Sequence, residues 1–288
     1  MVTQIHKPAN FSFSGLLKLI RFANLVILAL AQYFTAFFLL EDTSVITSLN
    51  LAILVSSTIV IAAAGYIIND YYDIKIDLIN KPQRVVVGKV LKRRVAMILH
   101  TILNFIGITL GFLLGYKIGL INFVSAVLLW SYSNQLKRTV LIGNLVVAIL
   151  TGLSIYIIAI YFEPDNNYIL AYALFAFFMT LIREIIKDLE DLKGDSTFDC
   201  RTLPVVHGPR KTKVIIYVLA ITFLICLCSL FYLRIGVSML IIALLLIGPL
   251  AYLFLRLHKA DTVKEFNYLS NYCKWVMLAG ITSMAFFY

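Results

Sequence analysis

Charge is scarce in this chain. Asp, Glu, Lys and Arg make up 14% of its 288 residues, where a soluble domain carries about 25%. The four cysteines, Cys200, Cys226, Cys228 and Cys273, form no CxxC pair and show no metal-ligand spacing, which leaves no basis for a disulfide framework or a zinc site. Cys226 and Cys228 lie in an apolar run, where a thiol behaves as a small hydrophobe. The histidines, His6, His100, His207 and His258, are scattered, with no second ligand at helical spacing. There is no phosphate-binding glycine loop, no dinucleotide fingerprint and no nucleic-acid motif. No loop is long enough to fold as a soluble domain, the largest being about 30 residues.

What the sequence has instead is apolar length. Hydrophobic residues are 61% of the total, against about 45–50% in soluble proteins, so the chain reads as an all-α integral membrane protein. A spanning helix needs about 20 mostly apolar residues. Nine segments qualify, at about 20–40, 46–68, 95–116, 118–136, 140–162, 167–186, 214–233, 235–255 and 269–287. Residues 1–288 read as one polytopic domain, and the run after Lys7, Lys18 and Arg21 reads as an uncleaved first helix, since no small-residue cleavage site follows it.

The net charge of +10 acquires a meaning once the loops are assigned to sides. With the N-terminus in the cytosol, Lys117 and Arg234 are the only basic residues outside, so 23 of the 25 Lys and Arg face the cytosol. Glu41, Asp42, Glu163 and Asp165 are the outer acids, leaving 11 of 15 inside. The inner face then carries +12 and the outer face −2, as expected for cytoplasmic loops that retain Lys and Arg. This topology puts the C-terminus outside and accounts for the basic balance without a nucleic-acid partner.

The remaining charges form two constellations at cytosolic helix ends. Asn69, Asp70, Asp73 and Asp77 make an NDxxDxxxD pattern after the second apolar segment, and Asp188, Asp191 and Asp195 follow the sixth. On a helix, spacings of three and four bring side chains to one face, where like charges repel by a few tenths of a kcal/mol per pair. A cation would offset that repulsion. Mg2+ prefers one or two carboxylates together with substrate phosphates over an all-protein cage, so two such patches on one side of a membrane suit Mg2+ ions bridging a diphosphate. A single DxxxD is more often a solvated helix end. Two of matched polarity, each ending a membrane helix on the same side, point to function, because ionisable groups near membrane depth cost about 2.5–3.5 kcal/mol each on insertion scales. Lys81, Arg84, Lys137, Arg138, Lys187 and Arg201 lie close by in sequence and could neutralise a departing diphosphate, although topology alone would also place them there.

Together these features resemble the UbiA superfamily of intramembrane prenyltransferases. The resemblance covers nearly the whole chain: the nine spans, the NDxxDxxxD cluster followed by Asn80-Lys81-Pro82 and Arg84, and Lys187-Asp188 with Asp191 and Asp195. It extends to Ser131-Tyr132, Leu136-Lys137-Arg138, Gly143-Asn144 and a closing Lys274, Met277 and Gly280, with Arg21 and Asn24 similar to the family's first-helix pair. It implies a helical bundle around a lipid-accessible cavity, capped by a cytosolic Mg2+-dependent site that takes an isoprenyl diphosphate and a lipophilic acceptor. By resemblance, Asn69, Asp70, Asp73 and Asp77 form one Mg2+–diphosphate half-site and Asp188, Asp191 and Asp195 the other. Lys81, Arg84, Tyr132, Lys137 and Arg201 resemble diphosphate contacts or shields for an allylic cation, and Arg21, Asn24, Lys187 and Asn144 resemble substrate contacts. Tyr66, Tyr71, Tyr72, Trp130 and Tyr132 could wall the cation, or sit at the membrane interface as Trp and Tyr commonly do. Where the family often has a second acid and an Arg-Pro after Asn-Lys-Pro, this chain has Gln83-Arg84-Val85.

The block from Arg183 to Asp195, with Arg201-Thr202-Leu203-Pro204, looks most like the branch that prenylates geranylgeranylglyceryl phosphate. An aromatic quinone-precursor acceptor is the alternative. A transporter of a phosphorylated or cationic solute is a competing class, but transporters place binding groups near the bilayer midplane, whereas these acids sit at helix ends. A lipid-binding scaffold is a weaker third reading. Gly111, Gly115 and Gly119 form a GxxxGxxxG run, of which the first pair suggests close helix packing within the chain. Pro249 predicts a kink, and Asn10-Phe11-Ser12, a glycosylation pattern, falls on the cytosolic side, where it should be silent.

Overall fold

The structure, a computed structural model, describes residues 13–80, 85–198, 200–233 and 237–287, with the side chains of 14–79, 85–198, 200–226 and 247–286. Lys81 and Arg84, two of the expected diphosphate contacts, and the Asn10 pattern lie outside the described residues. Among those residues the chain is helical, with a lone bridge between Val87 and Leu91 in place of any strand. The helices are α1 (Phe13–Leu19), α2 (Phe22–Leu39), α3 (Leu49–Asn80), α4 (Arg93–Leu114), α5 (Tyr116–Asn134), α6 (Ile142–Phe162), α7 (Asn167–Thr197), α8 (Leu203–Leu233), α9 (Val237–Lys259) and α10 (Val263–Ser283). Each expected span corresponds to one of α2–α10. Five of them, α2, α3, α4, α6 and α7, are long and apolar enough to cross a membrane among the described residues.

The helix ends differ from the sequence expectation in an informative way. α3 and α7 outrun their apolar segments, to Asn80 and Thr197, because the backbone hydrogen-bond ladder continues after the side chains turn polar. α8 begins at Leu203 rather than near 214, and Gly208 interrupts it at φ 78, a left-handed conformation that glycine adopts without a Cβ penalty. Pro209 follows at once, suited to restart the helix because its fixed φ is helical and its missing N–H is an orphan there in any case. α9 continues through Pro249, whose carbonyl accepts a hydrogen bond from Tyr272 at 3.2 Å.

The chain divides into two compact units. The first comprises residues 1–29 and 49–136, and the second 30–48 and 137–288, so α2 contributes its beginning to one and its remainder to the other. In the first unit α3 packs on α4 and α5. Under its C-terminal end, Leu19, Ile67, Val86, Val87, Leu91 and Ala96 form a buried cluster against Tyr71 and Ile74. α4 and α5 approach closely because a Cβ at Gly111 would strike the Asn122 amide, which donates to the Gly107 carbonyl at 3.0 Å. Gly115 makes the turn between them at φ 142. The packing pair is therefore Gly111 with Gly119, and not Gly111 with Gly115.

In the second unit α7 is the central helix, packed on α6, α8 and α10. Its N-terminus is fixed by Asn166, whose side chain accepts from Tyr168 N and Ile169 N at 3.1 Å each and donates to the Leu39 carbonyl at 2.7 Å. Glu163 completes that corner by accepting the Glu41 N–H at 2.9 Å. Such caps satisfy backbone groups that a helix end would otherwise leave orphaned.

Two glycine substitutions should differ clearly in their effect on stability. Gly111→Ala forces the new methyl into Asn122, and overpacking of this kind costs about 1–3 kcal/mol. Gly248 meets nothing beyond its chain neighbours, but Pro249 follows it and disfavours a helical residue with a Cβ, so Gly248→Ala should change stability less than Gly111→Ala. Thermal unfolding of the purified protein in detergent reads both. A Gly111→Ala midpoint at or above that of the parent chain contradicts the close α4–α5 approach.

Candidate active site

The first acidic cluster lies on the continued end of α3, so Asn69, Asp73 and Asp77 share one face and Asp70 lies beside Asp73. All four are half-buried. Asp70 receives Arg21, whose Nη2 donates to Oδ1 at 3.2 Å. The same guanidinium lies 4.9 Å from the centre of the Tyr66 ring, a cation–π arrangement. Arg21 occupies the break between α1 and α2 at φ 51, a conformation that costs a non-glycine residue about 1–3 kcal/mol and persists where surrounding contacts enforce it. Asn24 is at the limit of hydrogen bonding to the Tyr66 hydroxyl, 3.5 Å. Arg21, Asn24, Tyr66 and Asp70, separate in sequence, thus form one polar group.

Tyr71 is placed otherwise than as an open wall for a cation. It packs against the buried cluster of the first unit, edge-on to Tyr72, with the Arg93 guanidinium 4.6 Å from its ring centre. Tyr132 is half-buried on α5, and Trp130 is exposed.

The second cluster lies on the continued end of α7. Asp188 accepts a hydrogen bond from Asn144 Nδ2 of α6 at 2.8 Å. Asn144 is buried there because Leu141, at φ 64, turns the chain sharply into α6. Asp195 is buried and accepts from Thr202 Oγ1 at 3.3 Å. Asp191 is half-buried on the same face of the helix as Asp195. The short helical turn Leu136–Arg138 carries Lys137 and Arg138, and the Arg138 carbonyl accepts the Arg201 N–H at 2.9 Å. The structure therefore brings the backbones of these basic segments together, while the Arg201 side chain is exposed.

Three residues of this cluster were not singled out in the sequence. Glu184 is buried and binds two cations, Arg183 Nη1 at 2.6 Å and Lys187 Nζ at 2.8 Å. Glu190 is buried and accepts from Asn267 Nδ2 of α10 at 2.9 Å. Thr202 is the partner of Asp195. The Glu184–Lys187 spacing of three was visible in the sequence as an ion-pair signal, whereas the Asn267 and Thr202 contacts depend on the tertiary fold.

Among the described residues, no group of three or more His, Cys, Asp or Glu side chains is close enough to hold a metal ion alone. Mg2+ held with a phosphate substrate needs only one or two carboxylates and takes its other oxygens from phosphate and water.

Comparison with known proteins decides the family. The chain matches the UbiA prenyltransferase family over residues 29–278. It belongs to that family. It is 35% identical over 242 residues to digeranylgeranylglyceryl phosphate synthase of Methanosphaera stadtmanae, covering 82% of this chain and 88% of that protein. To the same-named synthase of Saccharolobus solfataricus it is 37% identical over 233 residues, covering 80% and 82%. Among solved structures, one from work on digeranylgeranylglyceryl phosphate synthase in membranes superimposes with a TM-score of 0.74 at 24% identity, over 94% of this chain and 98% of that one. A UbiA homologue of Archaeoglobus fulgidus, bound to DMAPP and Mg2+, gives 0.68 at 18% identity over 93% and 99%. The family assignment makes this UbiA chain a membrane-embedded prenyltransferase.

Removing the Asn144 amide leaves the Asp188 carboxylate short of a buried partner, a loss of about 1–3 kcal/mol. Asn144→Leu should therefore lower the thermal midpoint in detergent clearly more than Asn24→Leu, whose contact is marginal. Equal shifts for the two variants would show that the Asn144–Asp188 bond does not hold α6 to α7.

Proposed function

We propose that this UbiA-family enzyme transfers a prenyl group, geranylgeranyl by preference, from its diphosphate to a phosphorylated glyceryl ether lipid. The observation that carries this reading is the identity of 35–37% over four fifths of the chain with synthases named for that product. Two acidic clusters on continuous membrane helices provide the matching chemistry. Relatives of known fold bind DMAPP or GPP together with Mg2+.

Asn69, Asp70, Asp73 and Asp77 on α3, and Asp188, Asp191 and Asp195 on α7, are the oxygen donors that would hold Mg2+. Asp188, engaged by Asn144, stands at the edge of its cluster. When bound, the cation neutralises charge building on the leaving diphosphate. The basic groups Lys81, Arg84, Lys137 and Arg201, with Arg21 and Asn24, bind and orient the same anion, and Lys187 serves as a further substrate contact. The allylic C–O bond breaks and its electron pair leaves with diphosphate. A hydroxyl oxygen of the acceptor then bonds to the allylic carbon and releases its proton. Apolar helices exclude the water that would quench the cation, and Tyr132 serves as a shield for it.

An aromatic quinone precursor is the second acceptor class in this family's chemistry, and direct competition separates the two. The reading takes residues 1–288 as one catalytic domain with nine spans, N-terminus and carboxylate loops cytoplasmic, and C-terminus outside. The family match running through both compact units supports a single domain, and the distribution of Lys and Arg supports the orientation.

Purified protein incubated with geranylgeranyl diphosphate, Mg2+ and both geranylgeranylglyceryl phosphate and an aromatic acceptor should release diphosphate and form the glyceryl ether product in preference to a prenylated aromatic. Chelation of the metal should stop it. Asp73→Ala and Asp191→Ala should each reduce turnover at least about 100-fold, within the range expected when transition-state charge stabilisation is lost, with expression near that of the parent. Full activity in either variant would remove that residue from the metal site. Position 42, changed to cysteine, should react with a membrane-impermeant maleimide from outside the cell. Labelling only after permeabilisation reverses the orientation.

A further inference from the structure

The face of α7 that carries Asp191 and Asp195 continues towards the apolar part of the helix. Thr180, Glu184, Lys187, Asp191 and Asp195 recur at intervals of four, three, four and four residues, the spacing of one helical stripe. Neighbouring helices occupy its flanks: Asp188 is tied to α6 through Asn144 on one side, and Glu190 to α10 through Asn267 on the other. From Thr180 to Asp191 the stripe is about 16 Å long, at about 1.5 Å per residue.

Two polar atoms near its deep end, one on the stripe and one on the flank facing α10, have no hydrogen-bond partner. Thr180 Oγ1 is one, on a residue only 4% exposed, and Arg183 Nε is the other. Thr180 departs from the pattern of other threonines in these helices. Thr35, Thr58, Thr151 and Thr212 each donate to the carbonyl four residues back, at 2.8–3.1 Å, the usual way a helix satisfies a hydroxyl in an apolar setting. An orphaned buried polar group is costly, and two of them a turn apart, beside a pair of cations, make an anion seat. Arg183 and Lys187 each give one donor to Glu184 and retain others, since a guanidinium carries five N–H groups and an ammonium three. The triad bears a net single positive charge.

We propose that Thr180, Arg183 and Lys187 bind the phosphate of the glyceryl ether acceptor, with Glu184 as a positioning residue that holds the two cations side by side. The inference rests on the acceptor class proposed above and assigns the residues that recognise it. A phosphate could also come from the prenyl diphosphate. The carboxylates at the other end of the stripe are the donors suited to Mg2+ and diphosphate, which leaves the deeper cations for the second anion. A site built with buried donors rejects an analogue that cannot fill them, so this seat would discriminate against an unphosphorylated or aromatic acceptor.

The test measures kcat and KM on full-length purified protein with saturating Mg2+. Three substrates are varied: geranylgeranylglyceryl phosphate, the corresponding alcohol lacking phosphate, and geranylgeranyl diphosphate. The parent chain should prefer the phosphorylated acceptor by at least about 100-fold in kcat/KM, as polar-site discrimination allows. Arg183→Gln should raise the acceptor KM at least about tenfold and shrink that preference, consistent with loss of a charge-assisted contact. Thr180→Val, nearly isosteric, should raise the acceptor KM about threefold or more while leaving the thermal midpoint unchanged or higher, because it deletes an unpaired buried hydroxyl. The KM for geranylgeranyl diphosphate should stay within about twofold in both, the signature of lost uniform binding to one substrate alone.

Unchanged acceptor KM and preference in Thr180→Val overturn the proposal even if Arg183→Gln fails to fold. A rise in donor KM as large as that for the acceptor assigns the seat to the diphosphate, and also overturns it. Parent protein that prenylates the aromatic acceptor and not the phosphoglyceride defeats the acceptor reading itself. That failure shows in the parent chain, before any variant is compared.

Discussion

A charged or polar group placed in hydrocarbon must be satisfied by the protein, because lipid offers it nothing. The described polar side chains largely obey that constraint through partners on other helices or on their own backbone. Arg21 reaches Asp70, Asn144 reaches Asp188, Asn267 reaches Glu190, and Asn122 reaches the Gly107 carbonyl. Each bond joins elements that apolar packing alone would leave free to slide, since Leu and Ile contact lipid and one another about equally well. The polar contacts therefore fix register, and the register positions the carboxylates. In the second unit α7 shows this most fully: capped by Asn166 at one end, and tied to α6 and α10 through Asp188 and Glu190 in the C-terminal half that also carries Asp191 and Asp195.

The same constraint explains which parts of the fold the sequence disclosed. Long apolar runs were legible because each is a continuous local property, and their positions match α2 to α10. The ends were less legible. Hydropathy falls when side chains turn polar, but the backbone of α3 keeps its helical hydrogen bonds through Asp70, Asp73 and Asp77, and that of α7 through Asp188 and Asp191. The start of α8 was hidden for the opposite reason: residues 203–213 are too polar to read as a span, and the structural break falls at Gly208. Spacing had indicated that the acids share a face if the helices continue, and they do.

The composition of the site was only half legible. Carboxylates at three- and four-residue spacing announce themselves locally, but what each one does depends on the group opposite. Glu184 resembled any salt-bridged surface residue until burial placed it between Arg183 and Lys187. Glu190 and Asp195 acquired partners from Asn267 and Thr202, 77 and 7 residues away. Tyr71 was a plausible wall for a cation by residue type, yet packing turned its ring towards Arg93 and the buried cluster. In each case the missing information was a tertiary contact, which periodicity does not encode.

These observations separate two demands that an intramembrane prenyl transfer places on one helix. Neutralising diphosphate requires only one or two carboxylates, because substrate oxygens and water complete the coordination of Mg2+. Such groups can sit at a helix end, near water, where the cost of keeping them charged is small. Choosing between acceptors is harder for an apolar cavity, since an added or missing apolar group changes binding by only about 1–3 kcal/mol. Strong discrimination requires buried donors that one acceptor fills and another leaves empty. On α7 the carboxylates occupy the last turns, while Thr180 Oγ1 and Arg183 Nε, buried and unpartnered, lie two to three turns deeper. On the proposal above, the acidic helix ends would serve the reaction shared by the family, and the deeper polar stripe would specify the acceptor without disturbing it.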